Sequence, residues 1–332
     1  MIWYKNNDNG IVISTRIRLA RNLDGIPFPN ALSDKKDATE KIKNAVMNSN
    51  STLSKDFEFL SLDNATKSDR LTLAEEHLIS PEMLEGKGQS LLLSKDRTMS
   101  IMLMEEDHIR LQVIEPGLDL DKAYETASRV DDVIEESAVY AFDERFGYLT
   151  ACPTNAGTGL RASVMMHLPA LTITKNIGKV INASTGLGIE VRGLYGEGTS
   201  AEGSLYQISN RITMGLSEKE IIEKVKGVVN QVIEMEEKAR KALKENSKTA
   251  FEDRLFRSLG TLKYARSISS SEAKSLLSDV MLGINMGILP KGSKMTPLEC
   301  IVKTAPSFIS GGKDISPEER DVKRAEFIRE NL

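Results

Sequence analysis

Cysteine is nearly missing from this chain: Cys152 and Cys300 are the only two in 332 residues. No C-x-x-C pair occurs, which excludes a zinc knuckle or a disulfide framework and suits a reducing compartment. Histidine is almost as scarce, and no H-E-x-x-H is present, so a zincin is excluded. No run of about 18 apolar residues exists, so no transmembrane helix is expected. The N-terminal "MIWYKNNDNGIVIS" lacks the basic-then-apolar order of a signal peptide. These absences together lead to the expectation of a soluble cytoplasmic protein. An excess of one charge is lacking too. The net charge of -4 gives no overall pull toward nucleic acid or an anionic membrane, and neither is expected as a direct partner. No G-x-x-x-x-G-K-[ST] is found; "GILPKGSK" has Ser293 where the lysine should stand. No G-x-G-x-x-G follows a strand, and there is no repeat and no low-complexity tract.

What remains is an α+β pattern followed by an all-helical one. Residues 11 to 19, "IVISTRIRL", place Ser14, Arg16 and Arg18 on one strand face, with Thr15, Ile17 and Leu19 on the other. Residues 34 to 49 read as a helix. Residues 98 to 114 read as two strands around the acidic "EEDH". Asp119 to Ala141 repeats apolar residues at helical spacing, with Asp119 or Asp121 as N-cap. Short strands are expected through 172 to 182, 188 to 195 and 204 to 213. Ser217 to Glu220 is a capping box that opens a charged helix to about residue 245. Two more S-x-x-E boxes stand at Ser269 to Glu272 and Ser316 to Glu319, the last with Pro317 at the first helical position. The boundary between the two patterns falls near 240 to 250. This divides the chain into a catalytic unit, 1–245, and a helical unit, 246–332.

Arginines occupy unusual settings. Arg16 and Arg18 share a strand face, Arg110 follows "EEDHI", and Arg192 lies in "IEVRGLYGEG". Arg161 follows the loop of "ACPTNAGTGLRASVMMHLP" and is expected to open a helix. Singly, each reads as a surface cation; five in otherwise apolar strands or at a loop end point to an anion. Buried guanidinium groups need a counter-charge, and their fork matches phosphate oxygens. Glu106 in "MEEDH" and Glu197 in "GLYGEGTS" accompany them. A pair of acids beside a phosphate site suggests a general base, a metal site or a clamp on a cationic substrate. For Cys152, beside the loop, a helix-capping structural role and a thiolate placed with an anion site both stand at this point.

"STRIRLARN", "EEDHIR", "CPTNAGTGLRAS" and "VRGLYGEGTSAEG", in this order, resemble the ATP:guanido phosphotransferases, the creatine and arginine kinase family. The resemblance covers about residues 11 to 235. It implies an antiparallel sheet flanked by helices, with MgATP as phosphoryl donor held by Arg16, Arg18, Arg110, Arg161 and Arg192. It implies nucleotide contacts along Ser14, Thr15, Arg16, Ile17 and Arg18, along Arg161, Ala162, Ser163, Val164 and Met165, and along Arg192, Gly193, Leu194, Tyr195, Gly196 and Glu197. His77, in "EEHLIS", looks like the histidine near the nucleotide. Glu106 and Glu197 look like the catalytic carboxylates and Cys152 like the reactive cysteine; no residue is assigned as a metal ligand.

Small-guanidine kinases carry a helical domain of roughly a hundred residues, the size of a domain, before the first arginine motif. Here that motif begins at Ser14. "GEGTS" also lacks the histidine those enzymes carry after the glutamate. The C-terminal segment, with "RDVKRA" at 320 to 325, resembles the branch of the family that phosphorylates arginine residues in proteins. That implies a phosphoarginine-binding allosteric site at Arg320, Asp321, Arg324 and Ala325, and clients with exposed arginines. It further implies a homodimer, a zinc-finger activator protein, a heat-shock repressor among the clients, and delivery of clients to a Clp chaperone-protease in a stress response. A small-molecule guanidino kinase and a non-catalytic phosphoarginine adaptor are the rival readings.

Overall fold

The computed structural model describes residues 2–5, 10–193, 201–291 and 294–332. Among these residues the strands are β1 (Val12–Arg21), β2 (Phe57–Ser61), β3 (Ser90–Ser94), β4 (Met99–Leu103), β5 (Ile109–Pro116), β6 (Phe142–Asp143), β7 (Gly147–Tyr148), β8 (Leu160–His167), β9 (Ile189–Gly193) and β10 (Leu205–Asn210). The helices are α1 (Lys36–Met47), α2 (Lys67–Glu75), α3 (Leu120–Glu135), α4 (Pro169–Ile173), α5 (Ile177–Gly186), α6 (Glu218–Asn246), α7 (Lys248–Tyr264), α8 (Ser270–Asn285), α9 (Pro297–Lys303), α10 (Pro306–Ser310) and α11 (Pro317–Asn331). Eight strands form one sheet in the order β2-β3-β4-β5-β1-β8-β10-β9, and β6 and β7 make a separate small hairpin. Every pairing is antiparallel.

The two faces of the sheet follow from the period of two along each strand. Ile17 and Leu19 of β1, Leu111 and Val113 of β5, Ala162 and Val164 of β8 and Ile208 of β10 enter one apolar core. Residues of α1, α3, α5 and α6 cover it. The intervening residues face the other way. Register sets them side by side: Arg18 lies opposite Gln112 on β5 and Arg161 on β8, Ala20 opposite Arg110, and Gln207 of β10 opposite Arg192 of β9. A register shift between Val12 and Ser14 marks a bulge at the start of β1. Val12 packs in the helix-covered core, whereas Ile13 joins Ile114, Met165 and Leu205 in a second cluster with α7, α8, α9 and α11. The C-terminal helices therefore cover one end of the face that carries the arginines. Cys300 is buried in that cluster, where burial pushes its thiol up to about 12.

Two expectations are corrected. Residues 172 to 182 hold no strand; they belong to α4, the turn after it and α5. The β-branched content of "LTITKNIGKVI" favours a strand, yet Pro169 at the first helical position starts α4 instead. The carboxylate of Glu236, fully buried on α6, accepts from the N–H groups of Ala170 and Leu171, each at 3.0 Å. The helix expected through Ala141 stops at Glu135. Tyr140 turns back to donate its hydroxyl to Asp131 at 2.9 Å, and pairs through its backbone with Leu23. Asp119 caps this helix by accepting from the N–H of Lys122. The capping box of Ser217 and Glu220 opens α6 with both of its hydrogen bonds made.

Glu236 also holds Arg240 Nε at 2.8 Å. Glu236→Leu strips the counter-charge from Arg240 and leaves two buried N–H groups unpaired. The expected cost is roughly 3–5 kcal/mol, measured as a lowered urea unfolding midpoint; an unchanged midpoint would show that α4 needs no carboxylate.

Candidate active site

A cavity of about 830 Å³ opens on the arginine-bearing face. Arg16, Arg18, Arg110, Arg161 and Arg192 all line it, drawn from β1, β5, β8 and β9. Glu105, Glu106, Asp107 and Cys152 line it as well. The five arginines are thus one group in space although they are spread over 177 positions of sequence, from 16 to 192 counted inclusively.

Arg161 stands in β8, not at the start of a helix. Its backbone pairs with Arg18 of β1, and the strand it opens goes on to pair with β10 from Ser163, so no helix N-terminus offers N–H groups there. Short apolar runs such as "LRASVMMH" do not distinguish strand from helix by pattern. What carries it is pairing on both sides. Gly159, just before it, has φ +63°, and a Cβ there would lie 2.6 Å from the carbonyl oxygen of Ala20. Arg21 fixes this loop. It donates to the carbonyl of Thr158 at 3.0 Å and pairs with Asp131 at 2.8 Å. Its guanidinium also lies over the ring of Tyr148, 3.6 Å from the centroid.

The fan is only partly neutralised by the protein. Arg16 donates to Gln207 Oε1 at 2.6 Å, Arg110 to both oxygens of Glu105 at 2.6 and 2.8 Å, and Arg161 to Glu190 at 2.7 Å. Arg192 shares Glu190, at 2.5 Å. The Nε atoms of Arg18 and Arg161 are buried with no partner among the described residues. Burial, together with Arg110 and Arg161, pushes Arg16 down to about 9. Burial, then Arg16, Arg110 and Arg161, pushes Arg18 well below its ordinary value. A guanidinium does not give up its proton in proteins, so the physical content of these shifts is a strong local demand for anions. Orphaned donors in a roomy cavity fit a polyphosphate.

The acids gather in one turn. Met104 takes a left-handed φ of 61°, which sends consecutive carboxylates different ways. Glu105 is buried on Arg110 and also accepts from the Ser80 hydroxyl. Glu106 is exposed to the cavity. Partial burial, with Asp107 and Glu105 beside it, holds its carboxyl above the ordinary value. Asp107 is buried; it accepts from Asn22 Nδ2 at 2.6 Å and from the N–H of Ala151 at 2.7 Å. It thereby joins the acidic turn to the loop of Cys152. His108 fixes the same turn: its Nδ1 accepts from the N–H of Leu23 at 3.0 Å, so Nε2 carries the proton that goes to the carbonyl of Pro27, 2.9 Å away. Cys152 is half-exposed, with Sγ 3.0 Å from the Thr154 hydroxyl.

A small adjoining pocket is lined by Ser14, Arg16, His77, Ser163 and Met165, together with Trp3. His77 packs against the Trp3 ring at 5.2 Å, and burial and Arg16 push it down to about 3, which keeps it neutral. Thr15, Ile17, Ala162 and Val164 turn away from the cavity. Thr15 is hydrogen-bonded to Gly117, and the other three lie in the helix-covered core. Gly193 lines the cavity. Leu194, Tyr195, Gly196 and Glu197 lie outside the described residues.

Arg320, Asp321, Arg324 and Ala325 sit on α11 and do not line the cavity. Arg324 is buried, donates to the carbonyls of Thr304 at 3.1 Å and Ile268 at 2.9 Å, and pairs with Asp321. Sequence reasoning missed Glu105, Asp107, Glu190 and Gln207. Glu190 was readable as the same-face neighbour of Arg192 in "IEVRG"; Gln207 needed the strand order.

Comparison with known proteins gives two matching stretches. Residues 37–239 match the family model "ATP:guanido phosphotransferase, C-terminal catalytic domain", and residues 248–332 match "Protein-arginine kinase McsB C-terminal domain". A protein-arginine kinase of Halothermothrix orenii is 47% identical over 98% of this chain and 94% of its own length. One of Caldanaerobacter subterraneus subsp. tengcongensis is 46% identical over 98% of both. Among solved structures, a lombricine kinase superposes with a TM-score of 0.62 at 25% identity, covering 74% of this chain and 70% of its own.

Glu106→Gln is expected to lower turnover by two or more orders of magnitude, the scale of general base catalysis, with nucleotide affinity nearly unchanged. Because a base acts deprotonated and this carboxyl is raised, kcat/KM should fall with acidification through a pH above the ordinary glutamate value of about 4.3. A pH–rate profile with its acid limb at or below that value, or a Gln variant of near-normal rate, sinks the assignment.

Proposed function

The chain belongs to the ATP:guanido phosphotransferase family, and from that premise we propose that it is a protein-arginine kinase. It moves the γ-phosphoryl group of MgATP onto a guanidinium nitrogen of an arginine residue in a client protein. The observation that carries this reading is the division of charge in a single cavity: five arginines and, beside them, four carboxylates, Glu82, Glu105, Glu106 and Asp107, and a thiol. Polyphosphate suits the first group and an incoming guanidinium the second. The names and lengths of the matching relatives support protein arginine as the acceptor.

The chemistry follows from the residues. A guanidinium keeps its proton up to a pKa above about 12 and is a poor nucleophile. Glu106, raised in proton affinity and facing the cavity, orients the planar fork and accepts a proton as the P–N bond forms. The bond from the γ-phosphorus to its bridging oxygen breaks, and ADP leaves. We assign Glu197 a share of that role. Cys152 steers the guanidinium without forming a covalent intermediate. Arg16, Arg18, Arg110, Arg161 and Arg192 hold the phosphates and stabilise the charge of the transferring group. His77 and Ser14 border the nucleotide side through their pocket with Arg16. Among the described residues no cluster of three His, Cys, Asp or Glu side chains is arranged to hold a metal. Mg²⁺ fits this site as part of the nucleotide complex, held by phosphate oxygens and water, where it neutralises phosphate charge.

Residues 1–245 form the catalytic unit in this reading and residues 246–332 the helical unit. Cytoplasmic location, homodimeric assembly, a zinc-finger activator, control of a heat-shock repressor and delivery of clients to a Clp protease in the stress response complete it. These rest on the family resemblance. No described helix is long and apolar enough to cross a membrane. A protein client with exposed arginines, incubated with MgATP and analysed by mass spectrometry under non-acidic conditions, should gain phosphate on arginine. Free arginine should be turned over far less efficiently. Comparable efficiency on both would move the chain to the small-guanidine kinases.

Arg320, Asp321, Arg324 and Ala325 are assigned as the phosphoarginine-binding site that tunes activity. Arg320 and Arg324 are one turn apart on α11, and Arg324 is held in place by its bonds to the carbonyls of Thr304 and Ile268. Arg320, only partly buried, is the residue to remove without unfolding the helix. Calorimetry with phosphoarginine should show binding weakened about tenfold or more in Arg320→Ala, the loss of one charged hydrogen-bonding pair, with basal rate retained. Wild-type affinity in the variant refutes the site.

A further inference from the structure

The β6–β7 hairpin has no part in the chemistry, yet it carries large apolar side chains into solvent. Phe142 is 58% exposed, Phe146 47%, and Val139, just before the hairpin, 66%. Monomeric surfaces carry single exposed apolar residues freely, but a cluster of them marks a contact. Their location relative to the cavity is fixed by hydrogen bonds. The N–H of Ala141 donates to the carbonyl of Asn22 at 2.8 Å, and the N–H of Leu149 to that of Ala141 at 2.9 Å. Asn22 Nδ2 then reaches both the carbonyl of Leu149 and the carboxylate of Asp107. The stem of the hairpin is thus joined through Asn22 to the acidic turn that lines the cavity, and Cys152 follows it three residues beyond Leu149. Phe28, 38% exposed, lies on the neighbouring loop, whose Asp24 N–H donates to the carbonyl of Val139 at 2.9 Å.

Charge says what covers this surface. Residues 131 to 148 hold six acids and one arginine. Asp131 is committed to Arg21, whereas Asp132, Glu135, Glu136 and Glu144 are exposed. The lone Arg145 is drawn to Asp143 and to the ring of Phe146, 5.1 Å from its centroid. A second copy of so acidic a surface would meet it with like charge. A basic and apolar polypeptide would meet it with opposite charge and with side chains for the phenylalanines.

We propose that the hairpin and the loop beside it are a docking shelf for the client chain, taking an extended segment whose apolar and basic residues flank the target arginine. The proposal rests on the protein-arginine reading above and adds to it a rule for which arginines are chosen. The acids raise the local concentration of basic segments, the rings hold apolar flanks, and the target guanidinium then enters between the carboxylates and Cys152.

The test uses the full-length protein and two peptides of equal length. One has a single target arginine among Leu, Phe and Lys; the other has the same arginine among Gly and Ser. Phe142→Ser/Phe146→Ser should raise KM on the first about five- to tenfold, the scale of losing a pair of anchoring contacts. KM on the second and kcat on both should stay near wild type. Phe142 also packs on the Tyr148 ring, so the pair could loosen the hairpin; Glu136→Gln/Glu144→Gln touches no packed ring and decides the matter. It should weaken use of the basic peptide a few-fold at low salt, and the difference should vanish at high salt. Equal KM for the two peptides on wild type, or equal losses on both in both variants, overturns the shelf while the protein-arginine reading stands. Wild type that modifies neither peptide overturns that reading and the shelf with it. Sedimentation velocity supplies the last arm. A phenylalanine variant with a changed oligomeric state assigns the surface to a second copy and overturns the proposal.

Discussion

Five guanidinium groups share one face of one sheet, and nearly everything else in the molecule answers to that constraint. Arg18 and Arg161 sit opposite each other across β1 and β8, so like charges are held together by register. Only a rigid platform tolerates this. The helix-covered core on the opposite face supplies the rigidity, Glu105 and Glu190 supply part of the counter-charge, and Gln207 adds a neutral acceptor. The remainder is left for a ligand. Unmet electrostatic demand in a pre-formed cavity is what lets binding be strong without any rearrangement of the protein, since the charges are already aimed.

The acceptor side is organised by a different device. Asn22, the residue after β1, bonds Asp107 in the acidic turn, Leu149 before the cysteine loop, and the backbone N–H of His108. Asp107 in turn bonds Ala151. One buried amide and one buried carboxylate therefore set the spacing between Glu106 and Cys152, which come from loops far apart in sequence. Asp107 takes both bonds on Oδ1 and Glu105 is paired with Arg110, whereas Glu106, exposed to the cavity, carries no such duty.

Much of this was legible in the sequence, and the failures have physical causes. The alternation of "ISTRIRL" predicts the shared face of Arg16 and Arg18 because a strand has no other periodicity. The capping box at Ser217 predicts the start of α6 because its hydrogen bonds are local. Arg161 was misplaced on a helix because β8 is held by partners on both sides, β1 and β10, that lie distant in sequence. Residues 172 to 182 were misread because the group that favours α4 is a carboxylate more than sixty residues downstream, Glu236. Only the family resemblance separates Glu106 from Glu105 in the sequence; in the fold Glu105 is taken up by Arg110 and the Ser80 hydroxyl.

The position of β1 in the sheet also has a history in time. It is the first strand of the chain, yet it lies in the middle, between β5 and β8. During synthesis its hydrogen-bonding groups on one side wait for β5 and on the other for β8, which ends at His167. At about 5–20 residues per second, the second edge stays open for roughly seven to thirty seconds after β1 has left the ribosome. Through that interval a strand with Ile13, Ile17 and Leu19 on it is unpaired on one side. Like charge at Arg16 and Arg18 disfavours pairing of that open edge with a second copy of itself.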